Sequence, residues 1–122
     1  MKIKVAPSTI HGIGVFVTEF IAKGEVIEIA PCLTMSSSER TLTAQTTLKR
    51  YGYGCGENVA IVWGYGSLYN HSNTPNAVYK WLDYDGPVEF SALRDLKPGE
   101  EILTNYNKDP LDQTPIEGLK QC

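Results

Sequence analysis

The residues of this chain that could do chemistry fall in two separated places. The first is the stretch Gly64-Tyr65-Gly66-Ser67-Leu68-Tyr69-Asn70-His71-Ser72-Asn73-Thr74-Pro75-Asn76-Ala77. Glycine, asparagine, serine and threonine leave regular structure and bond their own backbone, so it reads as a ligand loop held between two strands. The second place is Tyr106, which closes an apolar run and has an asparagine on each side, Asn105 and Asn107. Neither place is a nucleophilic or metal centre by composition. Gly64-Tyr65-Gly66-Ser67 is not G-x-S-x-G, so no nucleophile elbow is present. His11, His71 and the scattered Cys32, Cys55 and Cys122 are too few for a hydrolytic or tetrahedral zinc site. What stands out is a set of tyrosines without a strong acid or base: Tyr51, Tyr53, Tyr65, Tyr69, Tyr79, Tyr84 and Tyr106. A third, weaker signal is Gly12-Ile13-Gly14, where glycine lets a ligand approach the backbone. It is not the dinucleotide fingerprint, because no third glycine and no helix pattern follow.

The elements that must position these residues are short. Alternating or β-branched runs at 2–5, 15–17, 26–30, 59–63, 77–82, 88–93 and 100–106 predict about seven or eight strands. Lys23-Gly24 and Pro98-Gly99 predict turns, the latter of type II. Asp85-Gly86 predicts a hairpin, with Pro87 opening an edge strand. Ser36 and Glu39 have capping-box spacing, which predicts a helix over residues 37–50. The glycine-rich stretch 51–58 reads as loop, and the tail after Pro110 as loosely ordered unless it docks over something. The class is mainly β, or β-rich α+β.

At 122 residues the chain is one domain. A net charge of -3 speaks against nucleic acid as the main partner and permits a basic peptide. Three cysteines, none closely spaced, argue against a disulfide framework and for a reducing compartment. No apolar leader opens the chain and no segment is long enough to span a membrane, so a cytoplasmic protein is expected.

Three motifs, in order, resemble the SET-domain protein lysine methyltransferases. They are Gly12-Ile13-Gly14-Val15-Phe16 with Lys23-Gly24-Glu25-Val26-Ile27, then Asn70-His71-Ser72 with Pro75-Asn76-Ala77, then Gly99-Glu100-Glu101-Ile102-Leu103-Thr104-Asn105-Tyr106. They span about residues 3–107, and the chain is similar to the small bacterial and viral members. The resemblance implies a SET domain at 1–110, which leaves 111–122 as a tail, loosely ordered unless it docks over the active site. It implies a β-clip-like fold of several small twisted sheets, in which the segment with Tyr106 threads beneath the Asn70-His71 loop as a pseudoknot. It implies S-adenosylmethionine as methyl donor, held by the backbone of Gly12, Ile13, Gly14 and Val15, the side chain of Asn70, the backbone of His71, and Tyr106. Tyr106 matches the catalytic tyrosine; Tyr79 and Tyr51 resemble residues lining the lysine channel, and Tyr69 packs the loop.

The chemistry suits this inventory. Methyl transfer is an in-line displacement on a sulfonium and needs a neutral amine. A solvated lysine has a pKa of about 10.4, and a dry aromatic channel lowers it by disfavouring the cation. The chain departs from the larger members in two ways. No cysteine cluster follows Tyr106, and Asn107-Lys108-Asp109-Pro110 stands where a further aromatic is expected. One channel wall must then come from residues 111–119, from a second subunit in a homodimer, or from the substrate. The implied partner is a protein or peptide carrying a lysine, met in the cytoplasm, or in a host nucleus or cytoplasm for a viral or secreted effector. The same motifs also fit a catalytically inactive module that binds cofactor or peptide without turnover.

Overall fold

Turns placed every few residues cut the chain into short strands, so no sheet grows large and three small ones share one core. The computed structural model describes residues 1–116 and 118–122; Glu117, in the tail, lies outside the described residues. The strands are β1 (Ile3–Pro7), β2 (Ile13–Val17), β3 (Val26–Ala30), β4 (Cys32–Met35), β5 (Tyr53–Cys55), β6 (Asn58–Val62), β7 (Asn70–His71), β8 (Ala77–Trp81), β9 (Val88–Ala92), β10 (Glu101–Thr104) and β11 (Lys120–Gln121). One helix, α1 (Ser37–Thr43), and a 3-10 turn (Thr47–Arg50) lie between β4 and β5. The sheet orders are β1-β2-β10-β7, β11-β5-β6-β4 and β3-β9-β8.

The alternation read from sequence places the core. Val88, Phe90 and Ala92 of β9 point inward, as do Ala77 and Tyr79 of the facing β8. Tyr53, Tyr69, Tyr79 and Phe90 are the largest side chains in the shared core, with Val15, Val17, Ile102 and Leu96 around them. The Pro98-Gly99 turn forms as its residues require. Gly99 takes φ 93° and the Glu100 amide donates to Lys97 O at 3.1 Å.

Three local expectations are corrected, and the tail takes its docked alternative. The predicted helix over 37–50 stops at Thr43, although its capping box on Ser36 and Glu39 is present. Threonine hydroxyls end it. Thr43 Oγ1 donates to Arg40 O and Thr46 Oγ1 to Thr43 O, and Thr46 then caps the separate 3-10 turn. The stretch 51–58 is not all loop, because β5 and β6 pair there as a hairpin whose turn carries Gly56 at φ 61°. Pro87 opens β9, which is the central strand of its sheet rather than an edge. The tail is ordered at its end, where β11 runs parallel to β5 with Lys120 opposite Tyr53.

One pairing decides where the site can be. β10 runs parallel to β7, with Leu103 opposite Asn70 and Thr104 opposite His71. Parallel neighbours cannot be joined by a tight turn, so a second device holds β10 in place. It is Asn76, which is buried. Its Nδ2 donates to Glu101 O at 2.8 Å and its Oδ1 accepts from the Leu103 amide at 2.8 Å. Its backbone amide donates to Leu103 O at 3.1 Å. Replacing Asn76 with Ala leaves a buried backbone donor and acceptor of β10 without partners, with an expected loss of about 2–4 kcal/mol in urea unfolding. A loss below about 1 kcal/mol would contradict that role.

Candidate functional site

β10 delivers Asn105 and Tyr106 beside His71. The Tyr106 amide donates to His71 Nδ1 at 3.0 Å, which makes that ring nitrogen the acceptor. The proton therefore sits on Nε2, which donates to Asn73 Oδ1 at 3.0 Å. The Tyr106 phenol donates to Tyr69 O at 2.7 Å, and its ring lies 5.1 Å from the His71 ring. Tyr106 is thus fixed at its amide by His71 and at its hydroxyl by the residue just before Asn70. The asparagines beside it tie down the tail. Asn105 Nδ2 donates to Asp112 O at 2.6 Å and Asn107 Nδ2 to Thr114 O at 2.8 Å.

On the other side of this residue Asn70 is buried under the first motif. Its Nδ2 faces His11 O and Ile13 O, each at 3.0 Å, and Glu101 Oε2 at 2.8 Å. Its Oδ1 accepts no hydrogen bond from the described residues. Gly14 leaves no room for a side chain, since a Cβ there would overlap the Glu101 carboxylate. Gly12, at φ 48°, borders open space. Gly12 and Ile13 are exposed, whereas Val15 faces the core from the middle of its sheet. In the first motif Gly12 and Ile13 face outward, whereas Gly14 is buried against the Glu101 carboxylate and Val15 lies in the core behind it.

An aromatic chamber lies on the Tyr106 side. Tyr53 stands edge-on to Tyr79 with centroids 5.3 Å apart and to Trp81 at 5.2 Å. The Tyr53 hydroxyl donates to Gly66 O at 2.6 Å, and Tyr79 to Gln121 O at 2.6 Å. Of the two tyrosines expected to line the channel, Tyr79 contributes its ring. Tyr51 contributes its backbone carbonyl, and the ring in the chamber from that stretch belongs to Tyr53. Beneath the loop, the buried Glu28 accepts from the Tyr69 hydroxyl at 2.7 Å, and burial raises its carboxyl above the usual range.

The chamber holds Lys120. Its side chain is buried, and Nζ faces Tyr51 O at 3.3 Å and Ser67 O at 3.2 Å. The same nitrogen lies 4.9 Å from the Tyr53 centroid and 5.1 Å from that of Tyr106. Burial moves Tyr106 and Lys120 toward their neutral forms. The Tyr106 phenol is pushed up to about 12, chiefly by desolvation and then by the Glu101 charge. Desolvation lowers the Lys120 ammonium to about 8.

Sequence reasoning missed Lys120, Glu28, Tyr53 and a covalent bond. Cys55 and Cys122 form a disulfide across a separation of 67 residues, in place of the expected absence of disulfides. It ties β5 to the end of the chain. A buried lysine in a polar tail leaves no periodic signal, and no spacing rule pairs cysteines so far apart.

Comparison with known proteins gives one family. The SET domain family model matches residues 12–107. A Schizosaccharomyces pombe histone-lysine N-methyltransferase, H3 lysine-37 specific, is 34% identical over 97 residues, covering 78% of this chain. The chain spans 66% of the length of that relative. A Plasmodium falciparum protein assigned as a histone methyltransferase has a similar structure, with TM-score 0.69 and 32% identity over 86% of this chain and 92% of that one. The ctPRC2 complex bound to S-adenosylmethionine contains a chain with TM-score 0.73, over 98% of this chain and 20% of its own. At 18% identity it speaks for the fold alone.

Lys120 also makes stability depend on pH. Below about 8 both folded and unfolded chains hold its proton, and burying the cation weakens the fold in full. Above that, the folded chain loses the proton while the unfolded chain keeps it up to 10.5, so stability rises with pH. Urea unfolding should show a gain of about 1–2 kcal/mol between about pH 8 and pH 9.5, absent in Lys120→Met. The same pH profile in both proteins would contradict the burial of this amine.

Proposed function

Because the chain belongs to the SET domain family, we propose that it is an S-adenosylmethionine-dependent protein-lysine N-methyltransferase. The observation that carries this reading is the double fixing of Tyr106, by His71 at its amide and by Tyr69 at its hydroxyl. That places one phenol between an acceptor-rich cleft and an aromatic chamber.

The cleft suits a cationic donor. His11 O, Ile13 O, the Glu101 carboxylate and the unused Asn70 Oδ1 gather oxygen acceptors beside Gly14. Gly12, Ile13, Gly14, Asn70 and the His71 backbone would hold S-adenosylmethionine, which when bound supplies an electrophilic methyl group on a positively charged sulfur. The chain's residues do the rest. The aromatic rings exclude water and favour an uncharged amine in the chamber. Tyr106 keeps its proton at neutral pH, so its hydroxyl orients and polarises; it is no base. Fixing two reactants in line can contribute about 7–11 kcal/mol, and no metal or covalent nucleophile is needed. The parallel crossing of β10 beside β7 supports the knotted threading that the motif order implies, since it builds one site from two distant segments.

The acceptor is a lysine on a protein, and histone H3 is the first substrate to try, given the relative from Schizosaccharomyces pombe. Labelled S-adenosylmethionine with histone H3, and with lysate of the source organism, tests the activity. Tyr106→Phe should lower transfer by about 10²-fold or more and leave cofactor affinity, measured by calorimetry, within a few-fold. Asn70→Ala should raise the cofactor Kd by about tenfold, the equivalent of one good hydrogen bond. Cofactor binding by the unaltered chain without transfer to any protein would favour the inactive binding module instead. Full turnover in Tyr106→Phe would remove that residue from the mechanism.

A further inference from the structure

Resting on the methyltransferase reading above, we propose that Lys120 is a methyl acceptor within the chain itself, presented by β11 in the place of a substrate peptide. While docked, this strand closes the channel to other proteins.

The placement of β11 is that of a bound peptide. It lies parallel to β5, with Lys120 opposite Tyr53 and Gln121 opposite Gly54. On its other side the Gln121 amide donates to Tyr106 O at 2.8 Å. The Tyr79 hydroxyl donates to Gln121 O at 2.6 Å, and the Cys122 amide to Gly54 O at 3.2 Å. The strand is thus held by backbone groups, as an added strand is when a protein recognises an extended peptide. The Cys55–Cys122 bond anchors its end.

The lysine side chain then points to where an acceptor amine is needed. Its Nζ has two carbonyl acceptors, Tyr51 O and Ser67 O. A neutral amine has two N–H bonds and one lone pair. The two carbonyls use the N–H bonds and leave the lone pair free, near the ring of Tyr106. Desolvation favours this neutral form. A purely structural lysine would be expected to find a carboxylate when buried, because an unpaired buried cation is costly. Lys120 has no carboxylate within salt-bridge distance among the described residues.

The step balances. The Nζ lone pair forms a bond to the methyl carbon as the carbon–sulfur bond breaks. The bonding pair stays on sulfur, giving neutral S-adenosylhomocysteine. The methylated ammonium then releases its proton to solvent.

Two measurements test this, one without any cofactor. In native, oxidised protein, acetic anhydride should label Lys120 at least about tenfold more slowly than the exposed Lys80, as read by peptide mass spectrometry. Labelling of the two at equal rates overturns the docking. With deuteriomethyl S-adenosylmethionine, the label should appear on Lys120 at a rate per molecule independent of protein concentration, and be lost in Tyr106→Phe. Reducing the Cys55–Cys122 bond in Lys120→Ala, which frees the end of β11, should speed methylation of a synthetic peptide of residues 114–122 several-fold, and an equal rate before and after reduction overturns the closing of the channel. Cofactor binding with Lys120 left unmethylated overturns this assignment alone. Failure to bind cofactor at all overturns the methyltransferase reading and the acceptor assignment with it, and the acetylation result then speaks for the docking by itself.

Discussion

Everything at the site depends on Asn76. Its amide spends both ends on β10, and its backbone adds a third bond. Without that grip, β10 would be held by two residue pairs with β2, two with β7 and the Ser72 amide on Thr104 O. Because the grip fixes Glu101 and Leu103, it also fixes what they carry. Glu101 reaches Asn70 on one side, and two residues past Thr104 the chain sets Tyr106 on His71. A single buried, fully bonded side chain thus sets the register between segments some thirty residues apart, and a one-residue slip would face every side chain of β10 the other way.

The electrostatics follow from the same enclosure. One dry chamber pushes the phenol of Tyr106 up and the ammonium of Lys120 down, both chiefly by desolvation. These shifts have opposite signs and one cause, the penalty on charge in a low-dielectric space. The result is a tyrosine that stays a hydrogen-bond donor next to an amine that gives up its proton near pH 8, well below a solvated lysine. Glu28, raised by the same burial, accepts from Tyr69 and supports the carbonyl on which Tyr106 rests.

Much of this was legible in the sequence, for identifiable reasons. Strands with one buried face carry alternation, so β8 and β9 were readable. Turns with special φ carry glycine, so Gly99 was readable. The helix start was legible because capping is a local pattern, and its end was not, because threonine hydroxyls can either decorate a helix or stop it. β5 was mistaken for loop since its glycines suppress the signal of a strand that is short and paired on both sides. The motif order gave the two halves of the site through family resemblance, and nothing local predicts that β10 lies beside β7. The ring of Tyr53 and the burial of Lys120 are tertiary facts. Each depends on partners more than a dozen residues away.

The backbone bonds that seat β11 have a further consequence. They involve the amide and carbonyl of Gln121 and the amide of Cys122, and no side chain of either apart from the disulfide sulfur. A groove built this way is nearly blind to the letters that follow the lysine and sensitive to the order in which they are written. The bonds formed here are the slanted set of a parallel ladder, and the same residues in reverse would have to form the different bond spacing of an antiparallel one. Chain direction thus counts for as much as side chains in how β11 is seated.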